Sequence, residues 1–307
     1  MKKILVTGGA GYLGSLLIPT LLKDNKVTIF DNFSWGVRSI LHFAGHKNLE
    51  IITGDIRNEK EVREVVKDKD LIIHLAAIVG YPACSMDAMR AKSTNVDGTK
   101  NIISNLSRSQ ELVFASTGST YGSVKYTATE ETPIEPLTLY GSTKAESEKM
   151  SMDFGAVSLR FATVFGVSPR LRIDLLINDF TYLAIHKKEI VLFEGGNRRT
   201  FIHCADAAKS IKFASDNFSK MKDNVYNVGD DSLNLTKREV ALKLKEKINF
   251  YLHEAETGED PDKRDYEVSY KKLANEGFKC DMTFDDGLNE LIKVLTHIKM
   301  FSEWRNH

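Results

Sequence analysis

The stretch KILVTGGAGYLGSLLIP, residues 3 to 19, constrains this chain more than any other. A short apolar run ends at Thr7, glycines follow at 8, 11 and 14, and helical periodicity then takes over. A buried strand that enters a glycine turn and opens a helix is the beginning of a βαβ unit. KVTIFD returns as the next strand and ends at Asp31, near the spacing of about 20 residues at which an acid follows such a turn.

Apolar runs and amphipathic segments keep alternating through LEIITGD, NEKEVREVVKD, DLIIHLAA, STNVDGTKNIISNLS, ELVFAS, YGSTKAESEKMSMDF and AVSLRFATVFG. Connections of a few residues between strand and helix predict an α/β fold, a Rossmann-type doubly wound parallel sheet. Pro19 predicts a kink or an early end in the first helix. After Gly166 the regularity weakens. INDFTYLAIHK and TKREVALKLKEKI read as helices, EIVLFEG as a strand, FIHCADAAKSIKFASD as strand into helix, and ETGEDPDKRDYEVS as a loop or short strand. The expected division is a dinucleotide-binding domain over 1–166, rejoined by a segment near 198–228, and a smaller substrate lobe from 167–197 and 229–307.

Forty-two basic residues balance 42 acidic ones, so no global field recruits nucleic acid or an anionic membrane. No run reaches the roughly 18 apolar residues that a membrane helix needs. Cys84, Cys204 and Cys280 are scattered and lack CxxC spacing, which argues against a disulfide framework or a zinc site and fits a reducing cytoplasm. His74 and His203 sit in apolar strands without a second ligand at metal spacing and read as structural; no metal site is expected.

The glycine turn suits a pyrophosphate: Gly11 lets backbone approach it, and the helix N-terminus supplies N–H donors. Asp31 would accept from a ribose 2′-hydroxyl and repel a 2′-phosphate, which favours NAD over NADP. Asp55 in TGDIR ends a third strand and reads either as an adenine-side contact or as a helix cap. In LTLYGSTKAES, Tyr140 and Lys144 lie four apart and share a helix face. A phenol is a poor base near neutrality, and a neighbouring ammonium together with an oxidised nicotinamide brings its phenolate into range.

TGGAGYLG, Asp31, HLAA, ASTGSTYG and YGSTK, in this order, resemble the extended short-chain dehydrogenase/reductase family, which includes nucleotide-sugar epimerases and dehydratases. The resemblance implies NAD held by Gly8, Gly11, Tyr12, Leu13, Asp31, Asn32, Asp55, Ile56, Leu75, Ala76, Ala77 and Asn95, with Tyr140 and Lys144. It implies Thr117 as the hydroxyl that orients the sugar, Tyr140 as the proton acceptor and Lys144 as its cationic neighbour. It also implies a nucleoside-diphosphate sugar partner, touched by Val79, Thr117, Ser119, Thr163, Asn178, Arg199 and Arg264, and a homodimer formed through residues 95–107 and 141–153.

Family members that eliminate water carry an Asp-Glu pair after the catalytic Thr. Gly118 and Ser119 stand there instead, so redox at one carbon, most simply C4, is expected: a 4-epimerase or a 4-dehydrogenase, with a keto-sugar reductase and a non-catalytic NAD sensor as alternatives. Thr163 departs from the Asn usual at its position. LRFATVFGVSPRLRIDLLINDFTYLA and GEDPDKRDYEVS are also similar to enzymes acting on GDP-heptoses. Val79 to Ser85 is expected beside the sugar, with Tyr81 and Cys84 either lining it or merely packing.

Overall fold

A computed structural model describes residues 1–258, 264–298 and 306. Its strands, in chain order, are β1 (Lys3–Thr7), β2 (Lys26–Asp31), β3 (Leu49–Thr53), β4 (Leu71–His74), β5 (Glu111–Thr117), β6 (Ser123–Ala128) and β7 (Val157–Phe161). They continue with β8 (Thr163–Phe165), β9 (Glu189–Leu192), β10 (Arg198–His203), β11 (Asn224–Val228), β12 (Asn234–Thr236), β13 (Tyr251–Glu254) and β14 (Asp265–Val268). Seven of these form the central parallel sheet in the order β11-β7-β5-β4-β1-β2-β3. The order reverses between β1 and β4, which opens a crevice at the carboxyl ends of the strands.

Central strands of such a sheet are covered on both faces, which is why they read as unbroken apolar runs. Along β1, Ile4 and Val6 join one core while Leu5 joins the other, with Phe30, Ile72 and Leu112. A third core, around Phe165, Ile177, Phe201, Leu244 and Leu291, belongs to the later segments. The helix Gly14–Leu21 contains Pro19 and stops two residues beyond it, the early end that the missing N–H predicts. The helix Leu139–Phe154 is capped by the Thr138 hydroxyl on Gly141 N–H and closes at Gly155 in the left-handed region.

AVSLRFATVFG is not one strand. It divides at Ala162: β7 stays in the central sheet, and β8 leaves to pair with β10 in a three-stranded sheet completed by β12. The segment after Asp223 does return to the central sheet, as β11 beside β7. The stretch ending in DYEV forms β14 and pairs in parallel with β6; residues 259–263 before it lie outside the described residues. Tyr266, Val268, Tyr270, Leu273 and Phe278 pack into the first core, not the third, so the cores do not follow a boundary placing all of 229–307 in the second lobe. No helix among the described residues is long and apolar enough to cross a membrane.

Candidate active site

One cavity of about 480 Å³ opens at the switch point. The turn after β1 forms its floor. Gly8 has φ +72°, and a Cβ there would stand 2.8 Å from Ala76 N; at Gly14 it would stand 2.6 Å from Gly8 O and Gly9 O. Turn, helix and the strand end at Ala76 therefore fit together only around glycine. No side chain caps the helix that starts at Gly14, and residues 11 to 14 line the cavity, so the positive end of the helix lies at the cavity wall, the arrangement that binds phosphate.

Asp31 accepts from Ala10 N (3.0 Å) and Phe33 N (2.8 Å), joining the end of β2 to the turn. Burial raises its carboxyl above the ordinary range against those two bonds. A carboxylate has about four acceptor sites, so two remain for sugar hydroxyls. Asp55 also reaches the cavity but caps no helix; Asn58 does that, and Asp55 is gripped by the Arg57 guanidinium, which holds its carboxyl down at about 2.

The catalytic candidates stand at the far end. Thr117 is the last residue of β5; its hydroxyl lies 3.2 Å from Ser119 Oγ and accepts from Ser119 N–H. Tyr140 shares a hydrogen bond with the Thr117 side chain, and Lys144 lies one helical turn on, its ammonium 4.0 Å above the Phe114 ring. Burial pushes the Tyr140 phenol up to about 12 and the Lys144 ammonium down to about 7. The Arg172 and Arg264 guanidiniums draw the phenol back down. The hydroxyl-rich run after β5 is thus divided: Thr117 and Ser119 face the cavity, Thr120 bonds Thr117 O, and Tyr121 turns inward to Asn227.

Gly8, Gly11, Tyr12, Leu13, Asp31, Asn32, Asp55, Ile56, Leu75, Ala76 and Ala77 all line the cavity, as do Val79, Thr117, Ser119, Tyr140, Lys144, Thr163 and Arg264. Three expected residues do not. Asn95 is buried and clasps the loop before the site, its amide bonding both Ile78 N (2.8 Å) and Ile78 O (3.0 Å). Asn178 is fully buried and holds Gly166 N and Arg172 O, so it shapes the loop between them without lining the cavity. Arg199 is only 2% exposed, points into the interior of the second lobe and bonds Arg198 O.

Val79, Tyr81 and Ala83 line the wall, while Cys84 packs beneath with its thiol on Ile78 O. His74 bridges Thr7 and Thr99 and is held neutral by burial, its pKa lowered to about 3. His203 bonds Glu290. No group of three metal-binding side chains occurs among the described residues. Trp35, Arg170, Arg172 and Tyr266 line the cavity without having been singled out in the sequence. The two arginines of SPRLR, directly after a strand end, are the signal that a loop reading passes over.

A family model described as NAD dependent epimerase/dehydratase family matches residues 4–229. The chain belongs to this family. Relatives include UDP-glucuronic acid decarboxylase 1 of Xenopus tropicalis, 28% identical over 312 residues, covering 95% of this chain and 71% of the relative. A UDP-N-acetyl-alpha-D-glucosaminuronate decarboxylase of Bacillus cytotoxicus is 29% identical over 251 residues, 75% of each chain. Among solved structures, the UDP-glucose 4-epimerase of Thermus thermophilus, in complex with NAD, is 25% identical with a TM-score of 0.82, covering 96% of this chain and 99% of the other. NAD is the cofactor of the epimerase/dehydratase family, and the glycine cradle fits it. So does Ser116, whose buried hydroxyl lines the cavity without a hydrogen-bond partner among the described residues.

Proposed function

We propose that this protein oxidises a nucleoside-diphosphate sugar at C4, as a 4-epimerase or 4-dehydrogenase. The observation that carries the reading is the convergence of Thr117, Tyr140 and Lys144 on the cavity floored by the glycine turn, with Gly118 and Ser119 in place of an acidic pair.

When bound, NAD supplies the hydride acceptor and one positive charge. Thr117 holds the C4 hydroxyl by hydrogen bonding, and Tyr140 accepts its proton. Arg172 and Arg264 favour the phenolate, and Lys144, which lines the cavity, would hold the ribose hydroxyls. Arg264 also donates to Ser119 Oγ, which places a guanidinium beside Thr117 suited to an anionic part of the substrate. A ketone at C4 lies β to a C6 carboxylate and acidifies C5–H, so this one oxidation precedes epimerisation and decarboxylation alike. The chain's own residues offer no acid-base pair for elimination after Thr117.

Incubation with NAD and a panel of UDP, GDP, CDP and dTDP sugars, hexose, heptose and uronate, tests the reading. Product mass and NMR, with absorbance of reduced nicotinamide, should reveal a C4 change in one member. If the cofactor is bound and no sugar is altered at C4, the reading fails. Oxidation of NADH by a 4-keto sugar alone would assign a reductase. We also propose pairing of two copies through residues 95–107 and 141–153, where Ile103, Leu106 and Met150 line a surface cleft; light scattering giving only the monomer mass would refute it.

A further inference from the structure

Arg170 is a buried cavity-lining cation that the proposed chemistry leaves unused. Its side chain is 5% exposed, yet its hydrogen bonds go to neutral oxygens: Nη1 to Leu171 O (2.5 Å) and Nη2 to Asn306 Oδ1 (2.8 Å). Its Nε is buried and meets no acceptor among the described residues. None of their carboxylates is in ion-pair range of it either; the nearest acid on its loop, Asp174, is taken by Arg172. Removing a charge from water costs several kcal/mol unless an opposite charge or full hydrogen bonding replaces it. Arg170 feels Asp174 only from beyond ion-pair range, its Nε is left unsatisfied among the described residues, and it lines the cavity.

Its position selects the missing anion. Two residues earlier, Ser168 Oγ donates to Tyr12 O (2.7 Å) and lies 3.1 Å from Ser15 Oγ, which ties this loop to the first turn of the glycine-turn helix. On its other side the guanidinium lies 4.4 Å from the centroid of the Trp35 ring, four residues past Asp31. Arg170 therefore bridges the two elements between which a dinucleotide's diphosphate runs. The Arg172 guanidinium, near enough to repel that of Arg170, acts with Arg264 on the Tyr140 phenol instead.

We infer that Arg170, held against Trp35, is a diphosphate ligand for the dinucleotide and closes over it from the second lobe. This rests on the family's use of NAD and not on which sugar is bound. The Trp35 ring is half exposed and stacks on a cation that a bound diphosphate would neutralise, so the pair serves as a latch that slows cofactor release.

The test measures binding by calorimetry for wild type, Arg170→Ala, Arg170→Lys and Trp35→Ala, with NAD, ADP-ribose and adenosine. Arg170→Ala should weaken NAD and ADP-ribose at least tenfold and leave adenosine within twofold. Arg170→Lys should recover part of the loss, and it carries the test alone if the alanine variant does not fold. Trp35→Ala should speed NAD dissociation several-fold. UDP, GDP, CDP and dTDP are then titrated into the NAD-saturated proteins. Loss confined to these nucleoside diphosphates would assign Arg170 to the substrate's diphosphate and overturn the inference, as would NAD affinity unchanged in both Arg170 variants. Failure of wild type to bind NAD would instead sink the family-based cofactor assignment.

Discussion

Tyr140 must lose a proton to act, and its surroundings oppose that: burial lifts the phenol to about 12, and the Thr117 side chain with the Arg172 and Arg264 guanidiniums works against it. The sign of a mutation follows. Removing a cation disfavours the phenolate, so Arg264→Met should move the acid-side limb of the kcat/KM profile to higher pH, by up to about one unit. A limb that stays in place or moves down would remove Arg264 from the field at Tyr140. At this scale the sequence was informative where spacing alone decides. Tyr140 and Lys144 share a helix face whatever surrounds them, and Asp31 follows the glycine turn. It was uninformative where the fold decides: Arg199 faces the interior because β10 joins the three-stranded sheet, and Asn178 is consumed by the Gly166 loop. Nothing local to either residue says so.

A buried network locks the helix that carries Tyr140 and Lys144 to the strands below it. Glu148 accepts from Arg160 of β7 through Nε and Nη2, and Arg160 Nη1 donates to the Tyr121 hydroxyl, which donates to Asn227 of β11 (2.7 Å). Both charged side chains are 4% exposed. Glu148→Gln keeps the shape but leaves Arg160 uncompensated, and denaturant melts should show a loss of about 3 to 5 kcal/mol. A loss under 1 kcal/mol would mean that the pair does not hold this helix. The parallel alternation of strand and helix was legible because buried parallel strands are continuously apolar. The break at Ala162 was not, since β7 and β8 are both apolar and differ only in which sheet receives them. Nor was β14, whose pairing with β6 brings Arg264 to Ser119 across 145 residues of sequence.

The whole molecule puts one cavity between the glycine turn of the first half and the arginines of the second, so ligand and fold are linked. NAD present at about 100 times its dissociation constant adds about 2.7 kcal/mol to stability. Thermal scans should therefore show an upward shift of several degrees; no shift at saturating NAD would contradict a preformed dinucleotide cradle. The central claim concerns chemistry at the other end of the same cavity. It is tested most directly by a single turnover of Tyr140→Phe, loaded with NAD and mixed with whichever nucleotide sugar the wild type oxidises. The account predicts that NAD binds as in wild type while formation of reduced nicotinamide slows by about 10²- to 10⁴-fold. Reduction at the wild-type rate would show that the proton leaves by another route, and the assignment of this site would fall.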